Sequence, residues 1–336
     1  MNILIIGGTR QIGHFLTEAL LESGHRVTLL NRGVSPDTLP ETLPRLRVDR
    51  TDPVQLRRAL TGRTFDVVVD TVLHRRPEAE VITQLLNGST GRYIALSTGQ
   101  VYLVRDGLTR PFSEDDYDGP IMPAPPFGTY DYEEWLYGSD KRQSEDVLME
   151  AHARTGFPAT VLRLPMVISA RDQYLRLYNY VLRLRDGGPV LIADQPDYPV
   201  RNVYAHDVVR AIMRLLDYAG GFGRAFNISP DETLSLSDLL HRLAHTLNVT
   251  ANIVTVPRSV LIANGFLPDC SPFSDVWMSE LDNTRSKVEL GMTYTPVDDV
   301  LRDVVDMLQR RQPKPPAGYR RRNAERALAA SLKTPQ

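Results

Sequence analysis

Two side chains four residues apart carry the strongest chemical signal in the sequence. In the stretch EEWLYGSDKRQSE, Tyr137 and Lys141 fall one turn apart on what reads as a helix, so they share a face. An ammonium beside a phenol lowers the phenol pKa, and such a tyrosine can pass a proton to or from a carbonyl or alcohol oxygen during hydride transfer. The second signal lies at the start of the chain, where MNILIIGGTRQIGHFL sets Gly7, Gly8 and Gly13 between an aliphatic run and an amphipathic segment. A strand, a glycine-rich turn and a helix N-terminus make a pyrophosphate site, because backbone N–H groups and the helix dipole favour an anion and glycine lets it come close. Thr9, Arg10, Gln11 and Ile12 complete the turn.

Neighbouring residues indicate which dinucleotide the turn would hold. The second strand ends Leu30-Asn31-Arg32, without the carboxylate that binds a ribose 2'-hydroxyl in NAD sites. Arg10 and Arg32 are expected to clamp the 2'-phosphate of NADP, so NADP(H) is the favoured cofactor and NAD(H) the alternative. Asp49, in RVDRTD, follows a third short strand and is placed to accept from an adenine amino group. Asp52 before Pro53 reads as a helix N-cap.

The elements that would position these groups follow an alternating pattern. Buried-strand runs at Ile3–Ile6, Val27–Leu30, Val67–Val69 and Tyr93–Leu96 are each followed by a helical period, which predicts an α/β fold: a doubly wound parallel Rossmann sheet with helices on both faces. Ile12, Phe15, Leu16, Ala19 and Leu20 form the apolar face of the first helix, with Gly24 placed to end it. Residues 111–129 form a Pro- and Gly-rich loop, expected to wall the site, before a helix over roughly Tyr132–Ala153 and a strand at Ala159–Leu164. Regularity then weakens into a smaller α+β substrate-binding region packed on the sheet edge. The expected division is residues 1–165 for the dinucleotide, with 202–230 returning to it, residues 166–201 and 231–310 for the substrate, and 311–336 as a basic tail.

Composition narrows the function classes. The 336 residues carry a formal net charge of -2, so no global field attracts nucleic acid or a membrane, and the tail arginines read as a solvated helix. With Cys270 as the single cysteine, an intramolecular disulfide and a Cys-based metal site are both excluded, and no metal is expected. No signal-like segment or long apolar run appears, which points to the cytoplasm.

With these motifs together the chain resembles the short-chain dehydrogenase/reductase superfamily, and looks most like its extended branch, the NAD-dependent epimerase/dehydratase family. The resemblance runs from Met1 to about Val304. STGQVY (97–102) puts Thr98 in the place of the family's Ser/Thr, and VLRLPMVISARD (161–172), VYAHDVVRAI (203–212) and FNISPDETLSLSDLL (226–240) are similar to later family segments. The resemblance implies a triad in which Tyr137 is the acid/base, Lys141 lowers its pKa and binds the nicotinamide ribose, and Thr98 bonds the substrate oxygen. It places Leu73, Ser97, Leu164, Pro165 and Val167 along the cofactor, and Gly99, Gln100, Met166 and Arg201 with Thr98 and Tyr137 at the substrate. A homodimer is open to the chain on the same grounds.

Departures from the family pattern shape the expected reaction. Arg10 and Gln11 stand where the two branches have glycine, Met166 where an asparagine commonly contacts a nucleotide diphosphate, and Val200 where an arginine does, with Arg201 displaced by one. Gly99 and Gln100 replace the Asp-Glu pair of sugar dehydratases, which disfavours 4,6-dehydration. His74 is expected to be a loop histidine without a role. The leading expectation is an NADP(H)-dependent oxidoreductase interconverting a ketone and a secondary alcohol on a sugar derivative or secondary metabolite. The alternatives are an NAD(P)-dependent nucleotide-sugar epimerase using the same triad, and a non-catalytic dinucleotide-binding regulator.

Overall fold

The computed structural model describes residues 1–332; the last four residues of the basic tail lie outside the described part. In the N-terminal half, strands β1 (Asn2–Ile6), β2 (Arg26–Asn31), β3 (Arg45–Arg47), β4 (Val67–Asp70), β5 (Tyr93–Thr98) and β6 (Ala159–Leu164) alternate with helices α1 (Gln11–Glu22), α2 (Pro53–Leu60), α3 (Arg76–Leu86), α4 (Gln100–Leu103) and α5 (Tyr130–Thr155). Further on come β7 (Val167–Ile168), α6 (Arg176–Arg185), β8 (Val190–Ala193), β9 (Val203–Tyr204), α7 (Ala205–Leu215), β10 (Arg224–Asn227) and β11 (Ile253–Val256). Among the described residues, seven strands form one parallel sheet in the order β10-β6-β5-β4-β1-β2-β3. The order reverses beside β1, and such a switch point opens a crevice at the strands' C-terminal ends.

Helices cover both faces, so the central strands read as continuous apolar runs rather than alternating ones. Ile3, Leu4, Ile5, Val68 and Val69 have no exposed surface. α5 begins earlier than its apolar pattern suggested, because the Thr129 side chain caps it by accepting from the Tyr132 N–H, and it runs on to a left-handed cap at Gly156. Asp52 caps α2 in the expected way, accepting from the backbone of Val54 and Gln55. Segment 202–230 supplies α7, packed against α1, and the sheet's outermost strand β10.

The later region forms the expected smaller α+β unit: β8 and β11 make their own parallel pair, and a separate core gathers around Tyr180, Leu240 and Leu301. The basic tail, expected as a solvated helix, is solvated along one face only. In the helix Arg322–Ser331, Arg322 and Glu325 are only 5% and 3% exposed. Arg322 bonds Asp186 and Glu325 at 2.7 and 2.6 Å, and Glu325 also pairs with Arg183. These charges are buried because each finds an opposite partner from α6 or its C-terminal end, a condition no local pattern displays.

Candidate active site

Two adjoining cavities open at the strand ends. The first, about 480 Å³, is lined by Gly7 through Gly13, Asn31, Arg32 and Asp49, together with Arg50, Thr71, His74 and Gln173. A dinucleotide fits this cradle on structural grounds. α1 starts at Arg10 without a side-chain cap, which leaves its first N–H groups for an anion. At Gly13 a Cβ would lie 2.7 Å from the Gly8 Cα, so a side chain there would push apart the turn that brings the backbone to the ligand.

The departure at positions 10 and 11 has a structural counterpart. Gln11 holds a left-handed φ of 37°, unusual for a residue with a Cβ, and its side-chain amide donates to the Val167 carbonyl at 3.2 Å. Arg10 donates from Nε to Ser35 Oγ at 2.8 Å and from a terminal nitrogen to Gln173 at 3.0 Å. Arg32 faces Asp49 at 3.9 Å. Both arginines therefore line the cavity, but Arg32 already has a carboxylate neighbour. Asn31 is committed to the scaffold: it donates to the Gly7 carbonyl and accepts from Gly33 N–H and Arg47. The Asp49 carboxylate accepts two bonds from Thr51, which hold its pKa below the usual carboxylate range.

The second cavity, about 760 Å³, shares Gln11, Thr71, Leu96 and Gln173 with the first and contains Ser97, Thr98, Tyr137, Lys141, Leu164, Pro165, Met166 and Val167. α5 brings Tyr137 and Lys141 to the end of β5, where Thr98 sits. Tyr137 lines this cavity and keeps 37% of its surface exposed. Burial pushes the phenol up to about 12, and the Thr98 hydroxyl pulls in the opposite direction without cancelling it. His74, expected to have no role, tilts its ring against that of Tyr137 with centroids 5.3 Å apart.

Lys141 is held by the ends of neighbouring backbone segments. Its ammonium is buried and donates to the carbonyls of Leu73 and Leu96 at 2.6 and 2.7 Å. Desolvation brings its pKa down to about 8, against the opposing influence of Glu145 and Asp70. The lysine is thus anchored to backbone. Beneath this cluster Glu145 accepts from Ser97 and from Arg163 at 2.8 Å, and Arg163 continues to the Tyr102 hydroxyl. The chain of buried partners fixes the end of β5 against β6.

Some expected residues lie outside the cavities. Leu73 is 3% exposed and takes part through its carbonyl alone. Gly99 is packed under Ser279, where a Cβ would meet Oγ at 2.3 Å. Arg201 is drawn away by the Pro230 carbonyl and Glu280, so it is not brought to the substrate cavity. The Pro-rich loop walls a neighbouring pocket through Phe112, Met122 and Pro125, and the substrate wall comes instead from residues 268–279 and from Pro316, Ala317 and Gly318. Glu134, Tyr130, Arg176, Asn179 and Asp275 were not anticipated. Glu134 had a readable signal, since it lies three residues before Tyr137 on the same helix face.

A parallel doubly wound sheet, a glycine turn at its switch point and a Tyr-Lys pair beside it define a dinucleotide-dependent oxidoreductase. Residues 3–229 match the NAD dependent epimerase/dehydratase family, and the chain belongs to it. It is 26% identical over 261 residues to a 2'-dehydrokanamycin reductase of Streptomyces kanamyceticus, covering 76% of this chain and 70% of that protein. A 130-residue stretch is 37% identical to the chloroplast stem-loop binding protein of 41 kDa b of Arabidopsis thaliana, covering 34% of this chain and 33% of the relative. Among solved structures, the UDP-glucose 4-epimerase of Thermotoga maritima with UDP-glucose superposes with a TM-score of 0.74 at 20% identity, covering 93% of this chain and all of that one. No helix among the described residues is long and apolar enough to cross a membrane.

Proposed function

We propose that this enzyme uses NADP(H) to interconvert a ketone and a secondary alcohol on a sugar-like substrate, with Tyr137 as the proton donor and acceptor. The observation that carries the reading is the position of Thr98, Tyr137 and Lys141 in the substrate cavity, where it adjoins the glycine-turn cavity. The dinucleotide supplies hydride transfer when bound. Gly7–Gly13 and the start of α1 would hold its pyrophosphate, and Arg10 and Arg32 a 2'-phosphate.

The chain's own residues then handle the proton. With its pKa near 12, Tyr137 is protonated at neutral pH and is poised to donate to a carbonyl oxygen as that oxygen gains charge. Thr98 supplies a second hydroxyl beside it. A protonated phenol is the form that donates in ketone reduction, the direction for which the Streptomyces relative is named. A nucleic-acid reading has less physical support: the net charge is -2, and Arg322 and Arg326 in the tail are tied to Asp186.

The test is NADPH oxidation with a panel of carbohydrate ketones. Tyr137→Phe should lower turnover by about 100- to 10,000-fold while leaving NADPH affinity nearly unchanged. Turnover that survives in this variant removes Tyr137 from the reaction.

A further inference from the structure

The substrate cavity contains an arrangement that the proton chemistry does not use. Glu134 projects from α5 one turn before Tyr137, and Asp275 faces it from the 268–279 wall. Between them lies Tyr130, whose hydroxyl donates to Asp275 at 3.0 Å and also neighbours Glu134. One phenolic proton cannot serve both carboxylates. Glu134 receives a further bond from the Gln100 amide, and Asp275 one from the Trp277 N–H at 2.9 Å. Burial raises the pKa of both, with the charge of Asp275 adding to the effect at Glu134 and that of Asp131 adding to it at Asp275.

Among the described residues no cation is paired with either carboxylate; Arg258 is near enough to act on Asp275, but its terminal nitrogens donate to the Ser274 and Pro196 carbonyls. Among the described residues lining the cavity, the positively charged side chains are Lys141 and Arg176. Lys141 is spent on two backbone carbonyls, and Arg176 donates to the two Asp172 oxygens at 2.9 and 3.1 Å. An independent feature points the same way. Asn179, on α6, lines the same cavity and is 2% exposed; its amide nitrogen donates to the Asp269 carbonyl at 3.3 Å, and its Oδ1 has no partner. The cavity thus offers two partly buried carboxylates and a buried amide oxygen, all acceptors short of donors.

We infer that Glu134, Asp275 and Asn179 recognise ammonium groups on the substrate, which makes that substrate an amino-bearing carbohydrate. The inference rests on the ketone-alcohol reading above and refines it. An ammonium brings three donors and the missing charge, and its bonds to carboxylates are of the stronger, charge-assisted kind. A nucleotide diphosphate would bring negative charge against Glu134 and Asp275 and would find the Arg176 guanidinium already engaged.

The test is calorimetry on the NADPH-loaded protein with three probes: kanamycin, kanamycin with every amine acetylated, and UDP-glucose. Kanamycin should bind at least about tenfold more tightly than its acetylated form, and the Glu134→Gln/Asp275→Asn double variant should lose at least that margin. The double variant removes two charges that repel each other, so its thermal midpoint and NADPH affinity should hold. Should it fail to fold, the salt dependence of wild-type binding decides: kanamycin affinity must fall with added salt, and affinity for the acetylated form must not. Equal binding of the two forms, an unaffected double variant or preference for UDP-glucose overturns the inference. A wild-type enzyme that reduces neutral ketones through Tyr137 without preferring amines sinks the ammonium site alone, whereas turnover surviving in Tyr137→Phe sinks the reading beneath it.

Discussion

The two cavities are built on opposite plans. The dinucleotide cradle is assembled largely from consecutive residues: Gly7 to Gly13 on one turn, then the ends of β2 and β3. Much of its chemistry is backbone N–H and the close approach that glycine permits. The substrate cavity gathers side chains from α5, α6, the 268–279 wall and the segment before the C-terminal helix. In the first, local backbone geometry is the binding device; in the second, distant side chains become neighbours only through packing. Because the two halves are held by different interactions, a change in one is expected to leave the other intact away from the wall they share at Gln11, Ile12, Thr71, Leu96 and Gln173.

Paired substitutions would break that separation if it is wrong. The largest effect is expected from Gly13→Val, whose side chain must displace the Gly8 backbone. NADPH affinity should fall by on the order of 100-fold, equivalent to about 2.7 kcal/mol. Its counterpart is Gly318→Val. There a Cβ would meet the Asp269 carbonyl at 2.3 Å and the Asn179 amide at 2.8 Å, so the wall must shift. Substrate KM should rise by about tenfold, or 1.4 kcal/mol, with NADPH affinity unchanged. A loss of NADPH affinity in this variant would show the two halves to be one cooperative unit.

Two smaller effects would sharpen the picture of the shared wall and the cradle. Lys141 has its pKa depressed to about 8, so it is charged below that pH and loses its proton above it, while Tyr137 stays protonated until near 12. A profile of kcat/KM for ketone reduction from about pH 6 to about pH 10 should therefore be flat at first and decline above about 8. A profile that rises through that range would remove the charged lysine from the working state. Arg32→Ala should weaken NADPH about fivefold while changing NADH binding little, a modest loss because Arg32 is exposed and faces Asp49. Equal losses for both dinucleotides would dissolve the 2'-phosphate clamp.

The difference between the halves also explains which features could be read in advance. The parallel sheet followed from aliphatic runs such as Val67–Val69 alternating with helical periods, since burial on both faces leaves a direct mark on composition. Tyr137 and Lys141 were legible because helical spacing alone makes them neighbours. Asp275 beside Glu134 was not, since 141 positions separate them and no periodicity records the pairing. Arg201 shows the converse: its position near a family arginine suggested a substrate contact, while the Pro230 carbonyl and Glu280 hold it elsewhere.

By itself the sequence determined the fold class, the glycine cradle and the Tyr-Lys pair, because each depends on local backbone preference and on residues within a few positions of one another. Only the tertiary structure decided the state and surroundings of those groups. It anchored Lys141 to the Leu73 and Leu96 carbonyls, raised the pKa of Tyr137, buried Arg322 of the tail and set two carboxylates in the second cavity. Desolvation and long-range pairing govern such properties, and both arise only when distant segments close around a charge.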